Sequence, residues 1–251
     1  MYTKVKNTHE IEAMRESGRQ LATVLEYLRG QVEPGMTTKD LADLAAEKLR
    51  ELGGKPAFLG YQGFPDVICI SLNDEVVHGI PNRDRVIKNG DIVSLDFGVA
   101  VDRMITDAAI TVVAGTTSDE KVKKLILETE KSLYAGIEEL KDGVRVGTIA
   151  QAIETVLNKH HYGIVKDLVG HGVGHFVHED PNIPNYGRAN TGPELEAGMT
   201  IAIEPMATLG RDEVYLGKDG WTIKTNDGSL AAHFEHTILI TEHGFEILTQ
   251  V

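Results

Sequence analysis

Residues 168–181 read LVGHGVGHFVHEDP, and this stretch decides how the rest of the chain is interpreted. It holds three histidines, three glycines and two acids. Each glycine disfavours a helix by up to about 1 kcal/mol. The stretch is therefore predicted to be an irregular, extended segment, with glycines where the backbone passes close to other groups. In such a segment His171 and His178 can direct their imidazoles into one cavity, so a site there needs carboxylates from elsewhere in the chain.

The composition limits the classes of function. The chain has 251 residues, of which 41% are hydrophobic and 25% charged, as in a globular protein with a sizeable core. A formal net charge of −13 argues against specific nucleic-acid binding, which needs clustered Lys and Arg. Cys69 is the single cysteine, which excludes an intramolecular disulfide and suits a reducing compartment. Without a signal-peptide pattern or a run of about 18 apolar residues, we expect a cytoplasmic protein with no membrane partner.

Hydrophobic periodicity predicts alternating groups of helices and strands, and hence an α+β protein. Four helices are predicted at residues 8–29, 38–52, 117–140 and 148–160, with Thr37 or Thr38 capping the second and a Thr117–Glu120 capping box opening the third. Strands are predicted at residues 67–70, 91–96, 108–114, 199–204, 232–241 and 245–248.

An internal repeat follows from this order of elements. A displacement of 108 residues aligns Gly90–Asp96 with Gly198–Glu204, and the same displacement aligns Leu41 of the second helix with Ile149 of the fourth. Two distant segments share one offset, and each strand is predicted to end on a carboxylate. We therefore predict one domain, residues 1–251, built from two related halves of about residues 8–115 and 116–251.

Four carboxylates stand at special positions relative to the histidine segment. Asp96 is predicted to end one strand and Asp107 to begin the next, so a hairpin brings them together. Glu204 ends a later strand, and Glu235 precedes the last long one. Singly, such acids are more often turn formers or caps than ligands. Together with His171 they form an oxygen-rich donor set suited to two divalent ions, because buried carboxylates are costly unless they are paired or bind metal.

Further motifs accompany this donor set in order along the chain. They are Asn73–Pro81 (NDEVVHGIP), Ile203–Met206 (IEPM) and Glu235–Thr237 (EHT). With the paired aspartates and the histidine segment, these motifs are spread in order over nearly the whole chain. The combination resembles the type I, bacterial class of methionine aminopeptidases. This resemblance implies the pita-bread fold, in which two pseudo-symmetric halves form a curved antiparallel sheet covered by helices.

The resemblance also implies the roles of individual side chains. Asp96, Asp107, His171, Glu204 and Glu235 are implied to bind two divalent ions, drawn from Co, Mn, Fe, Zn or Ni. Glu204 is also implied to be the general base for the attacking water, His178 to stabilise the oxyanion, and His78 to contact the scissile amide and assist proton transfer. The substrate is implied to contact His78, His178 and a methionine pocket formed by Phe58, Tyr61, Phe64, Cys69, Met206 and Trp221.

Three residues depart from the usual pattern of that family. Val77 and Val177 precede the two catalytic histidines where cysteine and an aromatic residue are common, and His175 is an additional histidine. These changes leave the predicted ligands intact but alter the shape of the pocket. We expect His175 to lie at the surface or behind the ligands.

The function implied by the resemblance is removal of the initiator methionine from nascent chains whose second residue is small. The partners are then nascent N-termini, with a transient ribosome contact, and the protein is expected to be a monomer. An Xaa-Pro aminopeptidase or dipeptidase is the alternative enzyme, although those usually carry a further N-terminal domain and the first helix here begins within about ten residues. A non-catalytic binding module is a third interpretation, disfavoured because all the predicted ligands are present.

Overall fold

Four helices cover antiparallel strands in the computed structural model, which describes residues 5–251. Residues 1–4 of the predicted 1–251 domain lie outside this range. The helices are α1 (Thr8–Arg29), α2 (Thr38–Leu52), α3 (Glu120–Ile137) and α4 (Val146–Asn158). Among the helices described, none combines the length and apolar character needed to cross a membrane.

The strands are short apart from one long hairpin. They are β1 (Lys55–Pro56), β2 (Cys69–Leu72), β3 (Glu75–Val77), β4 (Ile92–Val101), β5 (Met104–Val113), β6 (Gly163–Ile164), β7 (Gly170–Gly172), β8 (Glu179–Ile183), β9 (Thr200–Ile203), β10 (Met206–Thr208), β11 (Val214–Leu216), β12 (Ile223–Thr225), β13 (Ala231–His233), β14 (His236–Thr241) and β15 (Gly244–Ile247).

The first two helices form where the local sequence predicts them. α1 is closed at its start by a capping box between Asn7 and Glu10, and α2 by one between Thr37 and Asp40. Each box satisfies backbone N–H groups that have no partner within the helix. Gly53 ends α2 with a φ of 81°, a left-handed conformation that favours glycine. The predictions for these two helices are confirmed.

The prediction for the start of α3 was wrong. Asp119, not Thr117, is the N-cap, and its carboxylate accepts a hydrogen bond from the backbone N–H of Lys121 at 2.8 Å. Thr117 instead accepts from the N–H of Asp119 at 3.2 Å, in the turn before the helix. A carboxylate two residues closer to the helix therefore replaces the hydroxyl cap. α3 also ends at Ile137, a few residues before the predicted end, and α4 runs two residues ahead of its predicted range.

The prediction that Asp96 ends its strand was also wrong. β4 continues to Val101 and pairs with β5 along its whole length, from Ile92 opposite Val113 to Val101 opposite Met104. The pairing persists because Phe97 and Val99 are buried apolar residues that continue the strand pattern. Asp96 is thus held in the middle of a strand, with β2 on one side and β5 on the other.

The predicted strand at residues 232–241 is divided between two sheets. β13 belongs to a three-stranded sheet ordered β13-β10-β6, whereas β14 belongs to a five-stranded sheet ordered β15-β14-β9-β7-β8. Phe234 and Glu235 form the step between them. Glu235 therefore sits where the chain leaves one sheet and enters the next.

The hairpin β4–β5 joins the five-stranded sheet through residues next to the candidate ligands. Ala109 and Glu235 form an antiparallel bridge, with backbone hydrogen bonds of 2.9 and 3.2 Å. The Thr237 hydroxyl accepts from the N–H of Asp107 at 2.8 Å and donates to its carbonyl at 2.7 Å. One apolar core packs beneath this junction and draws on both parts of the chain, including Leu41, Phe97, Leu133, Ile149 and Ile240.

The α+β prediction is confirmed by these helices and antiparallel strands. In the first part of the chain, α1 and α2 precede the strands that carry Asp96 and Asp107. In the second part, α3 and α4 precede the strands next to the other candidate ligands. The division into two repeated halves within one domain stays a prediction.

Candidate metal centre and active site

The candidate ligands come from five different strands or strand ends, which meet where the β4–β5 hairpin joins the five-stranded sheet. Asp96 and Asp107 lie on β4 and β5, and His171 lies at the centre of β7. Glu204 directly follows β9, and Glu235 directly precedes β14. β7 and β14 both pair with β9, so His171, Glu204 and Glu235 lie close together at one end of this sheet.

Asp107, His171 and Glu235 form a buried group whose ligand atoms lie within 4.8 Å of one another. Glu204 borders this group, since its Oε1 lies 3.5 Å from His171 Nε2. Asp96 lines the same cavity, and its negative charge helps to raise the pKa of Asp107, Glu204 and Glu235. The structure thus brings all five predicted metal ligands to one place.

The acids of this group fit a bound cation. Asp107 Oδ1 and Glu235 Oε1 are buried without a hydrogen-bond partner among the residues described. Burial, followed by the charges of the neighbouring acids, raises the pKa of Asp107 and Glu235 well above the usual carboxyl values. Burial alone raises the pKa of Asp96 to about 7. A divalent ion removes both costs, because it coordinates the unpartnered oxygens and neutralises their mutual repulsion.

His171 is oriented for coordination by its own backbone neighbour. Its Nδ1–H donates to the carbonyl of Gly172 at 2.9 Å, so the neutral ring presents the Nε2 lone pair to the acids. Burial, and then the charge of His178, lowers the pKa of His171 to about 3. The ring is therefore neutral at ordinary pH, as a metal ligand must be.

Two further imidazoles face the same cavity. His178 lies at its mouth, with its ring centroid 4.3 Å from that of His171, and partial desolvation lowers its pKa. His78 also lines the cavity, with its ring beside that of Trp221, and burial lowers its pKa to about 4. The backbone of His78 has a φ of 60°, which is uncommon for a residue other than glycine. Both rings are neutral at ordinary pH and can act as hydrogen-bond donors or acceptors.

The four acids also line a cavity of about 160 Å³, together with imidazoles and with apolar and aromatic side chains. Engineered apolar cavities of roughly this size, about 150 Å³, accommodate a benzene molecule. One medium-sized apolar side chain therefore fits. The cavity is lined by Phe58, Tyr61, Gln62, Phe64, Cys69, His78, Asp96, Asp107, His171, Val177, His178, Glu204, Trp221 and Glu235.

The apolar wall of the cavity is held by contacts between its own members. The rings of Phe64 and Trp221 meet edge to face, with centroids 5.1 Å apart. The Tyr61 hydroxyl and His178 Nδ1 form a hydrogen bond of 2.9 Å. Burial raises the pKa of the Cys69 thiol well above its usual value, so this cysteine is a neutral wall residue and not a thiolate nucleophile.

Met206 is the one predicted pocket residue that the structure does not bring to the cavity. It is fully buried and packs with Val76, Val77 and Val165 in a separate apolar cluster. Gln62 and Val177 do line the cavity and were not predicted as site residues. The sequence signal for Gln62 was its adjacency to Tyr61, and that for Val177 was its place before His178, where it was expected to alter the shape of the pocket.

The histidine segment is anchored to the start of the chain by a buried ion pair. Lys6 Nζ and Glu179 Oε2 are 2.8 Å apart, and both side chains are fully buried. Glu179 also accepts the backbone N–H groups of His175 and Phe176, which fixes the loop before His178. His175 is half-buried and pairs with Glu10 at 2.9 Å, outside the group of candidate ligands.

The arrangement corresponds to a known family of enzymes. The sequence model of metallopeptidase family M24 matches residues 12–242. The chain belongs to metallopeptidase family M24. This M24 chain is 47% identical to "Methionine aminopeptidase 1" of Bacillus subtilis (strain 168) over 246 residues, which are 98% of each chain. It is 44% identical to "Methionine aminopeptidase" of Aquifex aeolicus (strain VF5) over an alignment of 261 positions, which covers all of both chains.

Solved structures of M24-type proteins show the same fold. The crystal structure of methionine aminopeptidase from Thermotoga maritima matches with a TM-score of 0.97 at 45% identity, covering 99% of this chain and 100% of that one. Prolidase from Pyrococcus furiosus matches with a TM-score of 0.80 at 22% identity, covering 99% of this chain and 66% of that one. The predicted pita-bread fold is confirmed. As an M24 member with a buried Asp-His-Glu group, the chain is a metal-dependent hydrolase.

Proposed function

We propose that this chain is a type I methionine aminopeptidase, which hydrolyses the peptide bond after an N-terminal methionine. The observation that carries the proposal is a cavity that the buried acids share with apolar and aromatic side chains. A methionine side chain that fills the cavity sets its own amine and scissile carbonyl next to the metal centre. The full-length identity of 44–47% to proteins named methionine aminopeptidase supports the same activity.

The proposed metal centre holds two divalent ions. The donor set supports this number, because four carboxylates and one imidazole exceed what a single ion needs and carry more charge than one ion neutralises. Co, Mn, Fe, Zn and Ni all accept such an oxygen-rich set with one nitrogen. When bound, the ions supply Lewis acidity to the scissile carbonyl and lower the pKa of water.

The residues around that centre have distinct proposed roles. Glu204 is the general base that takes the proton of the attacking water, supported by the burial that raises the pKa of its carboxyl. His178 donates a hydrogen bond to the oxygen on which negative charge develops, and Tyr61 holds the ring through Nδ1. His78, which lines the same cavity, contacts the scissile amide nitrogen and assists its protonation.

The proposed methionine pocket consists of Phe58, Tyr61, Phe64, Cys69 and Trp221, with Val177 and Gln62 as additional walls. Aromatic edges next to an unbranched thioether are favourable contacts for a methionine side chain. A small second residue is the proposed requirement of the substrate, since the rings of Tyr61 and His178 flank the mouth of the cavity.

The partners and location proposed here follow from that substrate. Nascent polypeptide N-termini are the substrate, which implies action in the cytoplasm and a transient contact with the ribosome. The protein is proposed to act as a monomer, because all ligands and pocket residues come from one chain. An Xaa-Pro peptidase of the same fold is the alternative, and substrate choice distinguishes the two.

The test is peptide cleavage by metal-stripped protein reconstituted with Mn or Co. We expect methionine release from Met-Ala-Ser only, with Met-Leu-Ser and Ala-Pro-Ser left intact. Cleavage of Ala-Pro-Ser in place of Met-Ala-Ser would move the assignment to the prolyl enzymes, and metal binding without any cleavage would favour a binding module.

The variant Glu204→Gln tests the proposed general base. It removes a proton acceptor of the same size, so kcat should fall by about 100-fold or more. Glu47→Gln, which makes the same change on the exposed face of α2, should leave kcat unchanged. Metal content is measured by mass spectrometry in both variants. Unchanged kcat in Glu204→Gln would contradict the assignment of the base.

A further inference from the structure

His233 is a buried imidazole outside the proposed set of ligands. It is 1% exposed, and both of its ring nitrogens are buried without a hydrogen-bond partner among the residues described. Leaving such a group unsatisfied costs about 1 to 3 kcal/mol. A histidine in this position therefore destabilises the fold unless another state of the protein uses its nitrogens.

The backbone of His233 is fixed from two sides. Its N–H donates to the Thr111 hydroxyl at 3.0 Å, and that hydroxyl donates to its carbonyl at 2.6 Å. Ser94 supports Thr111 through a further hydrogen bond of 2.9 Å. On the other side His233 pairs with Met206 of β10. The backbone of His233 is consequently held by β4, β5 and β10, so the fold fixes the point from which the buried ring extends.

The ring faces two of the proposed ligands. His233 Nε2 lies 3.7 Å from Glu204 Oε2 and 3.9 Å from Glu235 Oε2. The other oxygen of Glu204, Oε1, faces His171 Nε2. The Glu204 carboxylate thus lies between two imidazoles, one beside each oxygen. The two distances from His233 exceed the roughly 3.2 Å upper limit of an N–H···O hydrogen bond by about 0.5 and 0.7 Å, so a shift of the carboxylates of less than 1 Å closes them.

We propose that His233 is a positioning residue of the metal centre, whose Nε2–H donates to Glu204 Oε2, and in part to Glu235 Oε2, when these carboxylates bind metal. The inference rests on the proposed metal site and adds a residue to it. A donor behind a ligating carboxylate fixes its orientation and offsets the repulsion between two neighbouring acids. The free energy lost on the unpartnered ring in the metal-free protein is recovered when metal binds.

The experiment is calorimetric titration of the metal-free full-length protein with Co²⁺, comparing His233→Leu and His233→Gln. Leucine has a similar size and no donor, so its affinity for Co²⁺ should fall by about 10- to 100-fold. Glutamine places an amide N–H near the position of Nε2 and should retain the affinity of the unmodified protein within about threefold.

Thermal unfolding of the metal-free variants separates positioning from packing. His233→Leu removes two unsatisfied buried nitrogens, so its midpoint should equal or exceed that of the unmodified protein. A fall in both midpoint and affinity would overturn the proposal in favour of a packing role. Unchanged affinity in His233→Leu would overturn it as well.

The visible absorption of bound Co²⁺ tests direct coordination. We expect the spectrum of His233→Gln to match that of the unmodified protein, whereas His171→Ala, which removes a proposed nitrogen ligand, should change it. A spectral change in His233→Gln as large as in His171→Ala would make His233 a ligand and overturn the positioning role. Failure of the proposed peptidase activity would appear separately, as an unmodified protein that binds Co²⁺ and releases no methionine.

Discussion

Single side chains at the candidate site carry protonation states set by burial. The buried acids have raised pKa values, and the imidazoles have lowered ones, so the metal-free site favours neutral forms of both. Bound metal reverses the preference of the acids, because a cation stabilises their charged form. The metal-free site therefore destabilises the folded protein, and bound metal removes this unfavourable free energy.

Metal-free protein should lose stability as the pH rises above about 7. A carboxyl whose folded pKa is raised from 3.8 to about 7, as in Asp96, contributes stability that is present at low pH and is lost as the pH rises through 7. Imidazoles with lowered pKa values act oppositely, because their unfolded forms lose a proton around the ordinary value of 6.5. The acids therefore dominate the slope between about pH 7 and about 8, where the unfolded imidazoles are already mostly neutral.

The measurement is the thermal midpoint of metal-free protein across that range, with Asp96→Asn beside it. The variant has no charge to develop, so its midpoint should fall less steeply and should be higher at about pH 8. Glu47→Gln, an equal change of charge on an exposed helix face, should follow the unmodified protein. Equal slopes in Asp96→Asn and the unmodified protein would contradict the prediction.

Elements differ in how far their own sequence determines them. α1 and α2 begin and end where their capping residues stand, because a cap acts on groups within one turn. Strand ends depend on partners distant in sequence. β4 runs past Asp96 because β5 is there to pair with it. The histidine segment is irregular as predicted, with a short strand at its start and another at its end, yet the ion pair between Lys6 and Glu179 that anchors it joins two distant parts of the chain.

Replacement of Lys6 by methionine should destabilise the protein by about 3 to 5 kcal/mol, because it leaves the Glu179 carboxylate buried without its cation. Methionine keeps most of the length of the lysine stem. The free energy of unfolding in urea measures the effect. Lys123→Met, which removes an exposed ion pair with Glu120 on α3, should show no measurable change. The double change Lys6→Met with Glu179→Gln should cost less than Lys6→Met alone, and an equal or larger cost would contradict the ion-pair argument.

In the molecule as a whole, the β4–β5 hairpin and the five-stranded sheet meet at the candidate metal centre. The meeting point is a backbone bridge between Ala109 and Glu235, strengthened by the two hydrogen bonds of Thr237 to Asp107. Each residue that makes this junction is a proposed ligand or lies within two residues of one. The stability of the junction and the affinity for metal are therefore expected to change together.

Thr237→Val tests that coupling. Valine has the shape of threonine but leaves the N–H and carbonyl of Asp107 without their partner, which should cost about 2 to 4 kcal/mol in urea unfolding. Affinity for Co²⁺ should fall as well, because Asp107 loses its alignment. Thr155→Val removes a hydroxyl on the exposed side of α4 that bonds only to the carbonyl of Gln151, and should change neither quantity. Lost stability with unaltered Co²⁺ affinity would show that the junction and the site are independent.

The sequence alone determined that four helices form, the ends of α1 and α2, and the donor types of the candidate site. Helical periodicity and caps are local, and the motifs that carry Asp96, Asp107, His171, Glu204 and Glu235 are short segments. Only the tertiary structure decided which residues face the cavity. It places Val177 and Gln62 in the wall, packs Met206 elsewhere, and turns the orphaned ring of His233 toward Glu204. The reason is that a side chain in a strand or loop has its surroundings set by the pairing of distant segments, which no local pattern encodes.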